Sequence, residues 1–211
     1  MPAQTAQVTT LTQARAEFFR HPTARILAGQ LLAFGALRVT ISRWSWADAL
    51  VTAVLVGLQP FTEWLIHVFV LHCPADGRLR DRLAGSSHRR HHEDPRDLRF
   101  QFLHPYALYA LTAVLVLLVL ALQTPSTVTG ALVAVALTAT YEWVHFLIHT
   151  DYPPRRGPYR RLHRAHRLHH FRNERYWLGV TARTGDRLLG TNPRKDNVEV
   201  SPTARSALVR R

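Results

Sequence analysis

Four long apolar stretches dominate the chain, separated by polar segments of very unequal length. They run from Arg25 to Ile41, Trp46 to His72, Pro105 to Gln123 and Ser126 to Thr150. The third carries no charge and is long enough to cross a bilayer, which takes about 20 helical residues. The fourth is apolar from Val128 to Ile148 except for Glu142 and His145. The second is interrupted by Asp48, Pro60, Glu63 and His67. As a helix of about 26 residues it would measure about 39 Å against a hydrocarbon core of ~30 Å, so its last turns should emerge from the membrane. The first stretch is the shortest, with Gln30 inside it and Arg38 near its end. It is expected to span, the alternative being a buried or interfacial helix.

The predicted fold is therefore all-α: a multi-pass membrane protein of about four transmembrane helices. Residues 1–24 read as a polar N-terminal segment without the basic-then-apolar order of a signal peptide. Residues 25–192 read as the membrane domain, its chemistry concentrated in 60–192, and 193–211 as a polar tail.

Charge adds orientation. The 211 residues include 27 basic and 14 acidic side chains, and every basic one except Lys195 is Arg. Arg15, Arg20 and Arg25 precede or open the first stretch, seven Arg lie between the second and third, and fourteen Arg with Lys195 follow the fourth. The other two connections hold Arg43, with Arg38 at the edge, and the neutral turn 123–126. The positive-inside rule then puts both termini and the 73–104 loop in the cytoplasm, where they form a helical cap. Trp44 and Trp46 would mark the outer interface, and Trp64, Trp143 and Tyr106 the inner one. The basic excess thus reads as topology plus attraction to anionic lipid rather than as a nucleic-acid site. Cys73 is the single cysteine, which excludes an intramolecular disulfide and a four-cysteine zinc site.

Candidate chemistry lies in the histidines. His67 and His72 stand at the inner end of the second stretch, followed by His88, His91 and His92 in HRRHH. His145 and His149 stand at the inner end of the fourth, followed by His166, His169 and His170 in HRLHH, with His163 one turn earlier. Glu63-Trp64 opens the first series and Glu142-Trp143 the second, so the halves repeat with an offset of 77 to 79 residues. Two facing units would bring ten imidazoles together above the membrane. Residues three or four apart share a helical face, so each HxxHH offers two or three nitrogens to one point. Imidazole ligates iron, zinc and copper, and five nitrogens per ion suit two iron-sized ions better than tetrahedral zinc.

Glu63, Glu142, Glu93 and Asp94 are candidates to orient imidazole N–H groups, with a plain helix-to-helix hydrogen bond as the alternative for the two buried Glu. His21 and His104 stand apart as surface or packing residues. HExxH, GxGxxG and P-loop motifs are absent, which leaves zincin proteolysis and nucleotide binding unsupported. Only Glu142-x-x-His145 matches the motif of soluble di-iron carboxylate bundles.

The order HxxxxH, HxxHH, HxxxH, HxxHH resembles the integral-membrane fatty acid hydroxylase superfamily, which includes sterol desaturases and carotenoid hydroxylases. HHEDPRDLRF after the second cluster and HHFRNERYWLGVTARTGDRLLGT at 169–191 look like its fatty acid 2-hydroxylase branch. The resemblance implies a membrane-bound non-haem di-iron monooxygenase that inserts oxygen from O2 into a C–H bond of a lipid acyl chain. It carries His67, His72, His88, His91, His92, His145, His149, His166, His169 and His170 over as metal ligands and catalytic residues, with His163 as an additional candidate. It implies two irons, with zinc as a substitute in purified protein, and a separate cytochrome b5-like or ferredoxin-like electron donor. Carotenoid ring hydroxylation and sterol or lipid desaturation fit the same motifs, and a non-enzymatic metal-binding membrane protein is the reading of a different class.

Overall fold

The computed structural model describes residues 8–155 and 157–209, with Leu83 and Val209 described by their main chain only. Among these residues every regular element is helical. Three of the four long helices begin at a proline that follows a side-chain cap. Helix α2 (Pro22–Ile41) starts behind His21, whose Nδ1 accepts from the Thr23 N–H, and α5 (Pro105–Leu122) starts behind His104, whose Nδ1 accepts from Tyr106 N–H. Helix α6 (Pro125–Ile148) starts behind Thr124. Proline at the first helical position gives up an N–H that would be unsatisfied anyway. Helix α3 (Trp46–Ile66) uses a capping box between Ser45 and Asp48 instead. The two isolated histidines, read as surface or packing residues, are thus helix caps, and His21 also stacks on Phe102 at 4.0 Å.

Helices α2 and α5 end at Ser42 (φ 57°) and Gln123 (φ 50°) in the left-handed conformation, and each turns directly into the next long helix. The result is two hairpins, α2–α3 and α5–α6. All four helices are long and apolar enough to cross a membrane, by length and composition. Helix α6 packs against the other three. The bundle core is formed by Leu27 and Phe34 from α2, Leu108 and Leu115 from α5, and Ala131 and Val135 from α6. Leu32, Val39, Leu117 and Leu120 face outward and are largely exposed, as a lipid-facing surface requires.

At the end of the bundle away from the histidines, a buried polar knot ties three helices. Arg38 of α2 ion-pairs with Asp48 of α3 at 3.1 Å. Its Nε donates to Thr129 Oγ1 of α6, which in turn donates to Asp48 Oδ1. The guanidinium also lies 3.6 Å over the Trp44 ring. Asp48→Ala would leave the fully buried Arg38 uncompensated, and the expected loss is about 3–5 kcal/mol of stability. An unchanged thermal unfolding midpoint of the purified variant would contradict this.

The short helices form the cap. Helix α1 (Leu11–Phe18) packs on α6, and its Phe18 sits among Phe102, Trp143 and Phe146. Helices α4 (Ser86–Glu93) and α7 (Gly157–Phe171) carry the two HxxHH motifs. The short α8 (Thr184–Leu188) lies against α3, and α9 (Pro202–Val209) packs on both α4 and α7, burying Ala204 and Ala207. The polar C-terminal segment is therefore a brace across the two histidine helices.

Candidate metal centre

Local helix geometry decides where the histidines meet. Five residues of α-helix turn through about 500°, which would leave His67 and His72 about 140° apart. The chain avoids this with a π-helical turn, His67–Leu71, closed by a bond from His72 N–H to the His67 carbonyl at 2.9 Å. The wider turn brings the two rings into a stack with centroids 5.1 Å apart. His145 and His149 need no such device, since four residues already return to about the same face.

Within each HxxHH the first and last rings share a face, while the middle one is rotated away by about 60° from the first. The ten histidines consequently form two groups of five that exchange their middle members. His67, His72, His88 and His92 are joined by His169 from α7, and His145, His149, His166 and His170 are joined by His91 from α4. The sequence left open whether two or three nitrogens of each motif share a point; the structure gives two, with the third crossing to the other group. The groups adjoin, with His92 and His170 stacked at 4.1 Å. His163 is half-buried beside Tyr159 and belongs to neither group.

The nitrogen atoms face one another at distances that could hold a metal ion. In the first group the Nε2 atoms of His72, His88, His92 and His169 follow each other at 3.1–3.3 Å, and in the second those of His149, His166 and His170 at 2.9–3.0 Å. With metal–nitrogen bonds of about 2.1 Å, ligands at right angles stand about 3.0 Å apart. His67 Nδ1 lies 2.6 Å from the Leu178 carbonyl and His169 Nδ1 2.9 Å from the Tyr176 carbonyl. A carbonyl only accepts, so both rings carry hydrogen on Nδ1 and point a lone pair from Nε2 into the group. The buried Nε2 atoms of His67, His91 and His145 have no hydrogen-bond partner among the described residues. Burial, followed by the neighbouring rings, holds His88, His91, His92, His149, His166, His169 and His170 well below the ordinary imidazole value. Burial brings His72 to about 4. Neutral rings with converging lone pairs are the protonation state that metal coordination needs.

The supporting shell differs from the sequence expectation. None of the four acidic candidates hydrogen-bonds an imidazole among the described residues. Glu63 accepts from the N–H groups of Val180 and Thr181 and from the Thr181 hydroxyl, and Glu142 accepts from Leu103 N–H. Both act as inter-segment anchors, the alternative given for them above. Glu93 and Asp94 are exposed, because the face of α4 that carries the rings turns them outward. Main-chain carbonyls take the orienting role instead. The loop that supplies Tyr176 and Leu178 is held by the fully buried Asp186, which accepts from Leu178 N–H, Gly179 N–H and the Thr191 hydroxyl at 2.6–2.9 Å. Gly185 lets α8 seat against α3, since a Cβ there would lie 2.5 Å from the Pro60 carbonyl oxygen. The signal for Asp186 was visible only as the lone acid in the Gly-Val-Thr to Gly-Thr segment.

Cavities approach both groups. Between α3, α5 and α6 runs an apolar slot of about 370 Å³, walled by Leu58, Ile66, Leu108, Leu111 and Leu137 and reaching Glu63 and Tyr141 at its inner end. A narrow pocket continues it, sharing Leu71, Ala84, Leu103 and Tyr141 with the slot and adding His88 and His145, one ring from each group. Elsewhere, His72 borders a cavity of about 270 Å³ lined in part by Arg89, Glu93 and Glu174, and His149 a polar one of about 230 Å³. These two are the least buried rings of the ten.

Residues 52–191 match the family model described as fatty acid hydroxylase. Over 144 residues the chain is 28% identical to dihydroceramide fatty acyl 2-hydroxylase FAH2 of Arabidopsis thaliana, covering 66% of this chain. The chain spans about 60% of the length of that curated relative. Among solved structures, full length scs7p, with only the hydroxylase domain visible, superposes with a TM-score of 0.62 at 20% identity. That match covers 92% of this chain and 70% of the other, and the likeness is one of fold.

Proposed function

We propose, from the premise that the chain belongs to the fatty acid hydroxylase family, that it hydroxylates a lipid acyl chain at a centre held by the ten histidines. The observation that carries this reading is the apolar slot among membrane-spanning helices whose inner end adjoins a small pocket bordered by His88 and His145. A slot lined mainly by Leu, Ile, Val and Ala side chains suits a hydrocarbon chain. His67, His72, His88, His92 and His169 would hold one iron, and His91, His145, His149, His166 and His170 the other. Iron bound there would supply O2 activation and the cleavage of a C–H bond.

The protein's own residues do the rest. Leu71, Ala84 and Leu103 close the way down to a pocket of about 10 Å³ beside the rings, so water is excluded and an acyl chain must displace these side chains to reach the rings. Tyr141 lies at the junction of slot and pocket and packs along His145, with centroids 5.7 Å apart. The groups stand where the long helices leave the bundle, so the carbon presented is one near the lipid headgroup, such as C2. The dihydroceramide 2-hydroxylase named above favours the same position. The two cavities at His72 and His149 give water and protons a route that bypasses the slot, and a separate cytochrome b5-like or ferredoxin-like donor would supply electrons.

Expression in a host lacking such an enzyme, with labelled O2 and lipid mass spectrometry, should add one labelled oxygen to acyl chains. His88→Ala should reduce that product at least about hundredfold, the scale of losing a group that organises the reacting centre. Products that are only desaturated or ring-hydroxylated would overturn the acyl hydroxylase reading.

The arginine asymmetry supports a cytoplasmic cap, with both termini and the metal centre on that side. Reporter fusions at Trp44, Gly85, Thr124 and Arg205 should read outside, inside, outside and inside. An outside signal at Arg205 would reverse the orientation.

A further inference from the structure

Beyond the slot, the same three helices enclose a second apolar groove of about 330 Å³, lined by Val51, Leu115, Leu118, Leu122, Gly130 and Ala131. Leu55 of α3 and Ala134 of α6 line both spaces. The helices are close at this level: a Cβ added to Gly130 would lie 3.4 Å from Val51 Cγ2 and 3.9 Å from Leu55 Cδ1. With α6 so near, Leu55 and Ala134, which line both spaces, stand at the divide between them.

We propose that Leu55 and Ala134 form a waist that sets the length of the acyl chain this protein accepts. The proposal rests on the acyl hydroxylase reading and adds which residues measure the chain. From Leu71, beside the metal-facing pocket, to Leu55 is sixteen residues, some of them in the π-turn, a rise of at most about 24 Å. A hydrocarbon zigzag with bonds of about 1.5 Å advances about 1.25 Å per carbon, so about nineteen carbons fill the distance to the waist. Shorter chains end in the slot. Longer ones must pass between Leu55 and Ala134 into the outer groove, which is apolar and large enough to receive them. Discrimination by such a waist is steep, since one methylene gained or lost in an apolar site changes selectivity about 10- to 200-fold.

Two substitutions move the waist in opposite directions, which general loss of stability cannot imitate. Full-length wild type, Leu55→Ala and Ala134→Phe are each expressed in cells supplied with saturated fatty acids of graded length. Hydroxylated acyl products are profiled by mass spectrometry. The acyl lipids retained by each purified, metal-loaded protein are profiled by native mass spectrometry, a readout independent of turnover. Leu55→Ala should raise the ratio of longer to shorter chains about tenfold in both profiles, and Ala134→Phe should lower it about as much. Wild-type length profiles in a variant with normal metal content overturn the waist. If Ala134→Phe fails to accumulate, Leu55→Ala decides alone, because it only removes volume. If wild type yields no hydroxylated lipid while retained chains still shift, the activity is wrong and the waist stands.

Discussion

The double variant His67→Ala/His169→Ala is expected to retain one metal ion per chain, and His67→Ala/His145→Ala none. Elemental analysis of the purified proteins reads both numbers. The pairing follows from the exchange of middle histidines between α4 and α7. If each HxxHH motif served only the His pair that precedes it, His67 and His169 would belong to different centres. Their joint loss would then empty both. Removing a coordinating nitrogen should weaken binding by more than the about 10–100-fold typical of an outer-sphere partner. The reciprocal pair, His91→Ala/His145→Ala, should also keep one ion. Loss of both ions from either of these two same-group variants would refute the exchanged arrangement.

Asp186→Ala is expected to weaken the group containing His67 and His169 by about 10–100-fold while leaving the other group near wild type. The reason is mechanical. Asp186 accepts three hydrogen bonds from the segment whose carbonyls at Tyr176 and Leu178 fix the two rings. Its loss strands three donors in a buried place and frees the carbonyls to drift. Asp186→Asn keeps the Oδ1 acceptor that serves Leu178 and Thr191 and should recover part of the affinity. Competition against a chelator of known affinity separates one weakened ion from two. Equal weakening at both groups would mean that Asp186 acts on the fold at large.

The membrane bundle was legible because its signal is a sum over many residues. Uncharged runs of this length leave few alternatives, and the structure's long helices begin and end within a few residues of the apolar boundaries. The histidine series was legible because the repeat fixed which rings belong together as ten. How they divide was not. That depends on which way α4 and α7 are rotated, and three residues on either helix are compatible with one face. The π-turn at His67–Leu71 was equally hidden: a spacing of five against four in the other half is a one-residue difference, and only the main-chain bond pattern shows how it is absorbed. Asp186 could be seen but not assigned, since its partners are main-chain groups that any sequence supplies. Arg38 read as a charge at the edge of the first stretch and Asp48 as an interruption of the second, yet they close on each other inside the bundle.

Chain connectivity gives the exchanged histidines a thermodynamic meaning. An ion in the first group would tie residue 67 to residue 169, closing a loop of about a hundred residues, a step that costs several kcal/mol of chain entropy. An ion in the second would tie residue 91 to residue 170. Once the first loop is closed, His92 already sits beside His169, so their neighbours His91 and His170 need almost no further ordering. A second ion would then meet a site already partly ordered by the first. Loading of the two ions is therefore expected to be positively coupled, and the ion kept by a same-group double variant such as His67→Ala/His169→Ala should bind more weakly than its counterpart in the wild type.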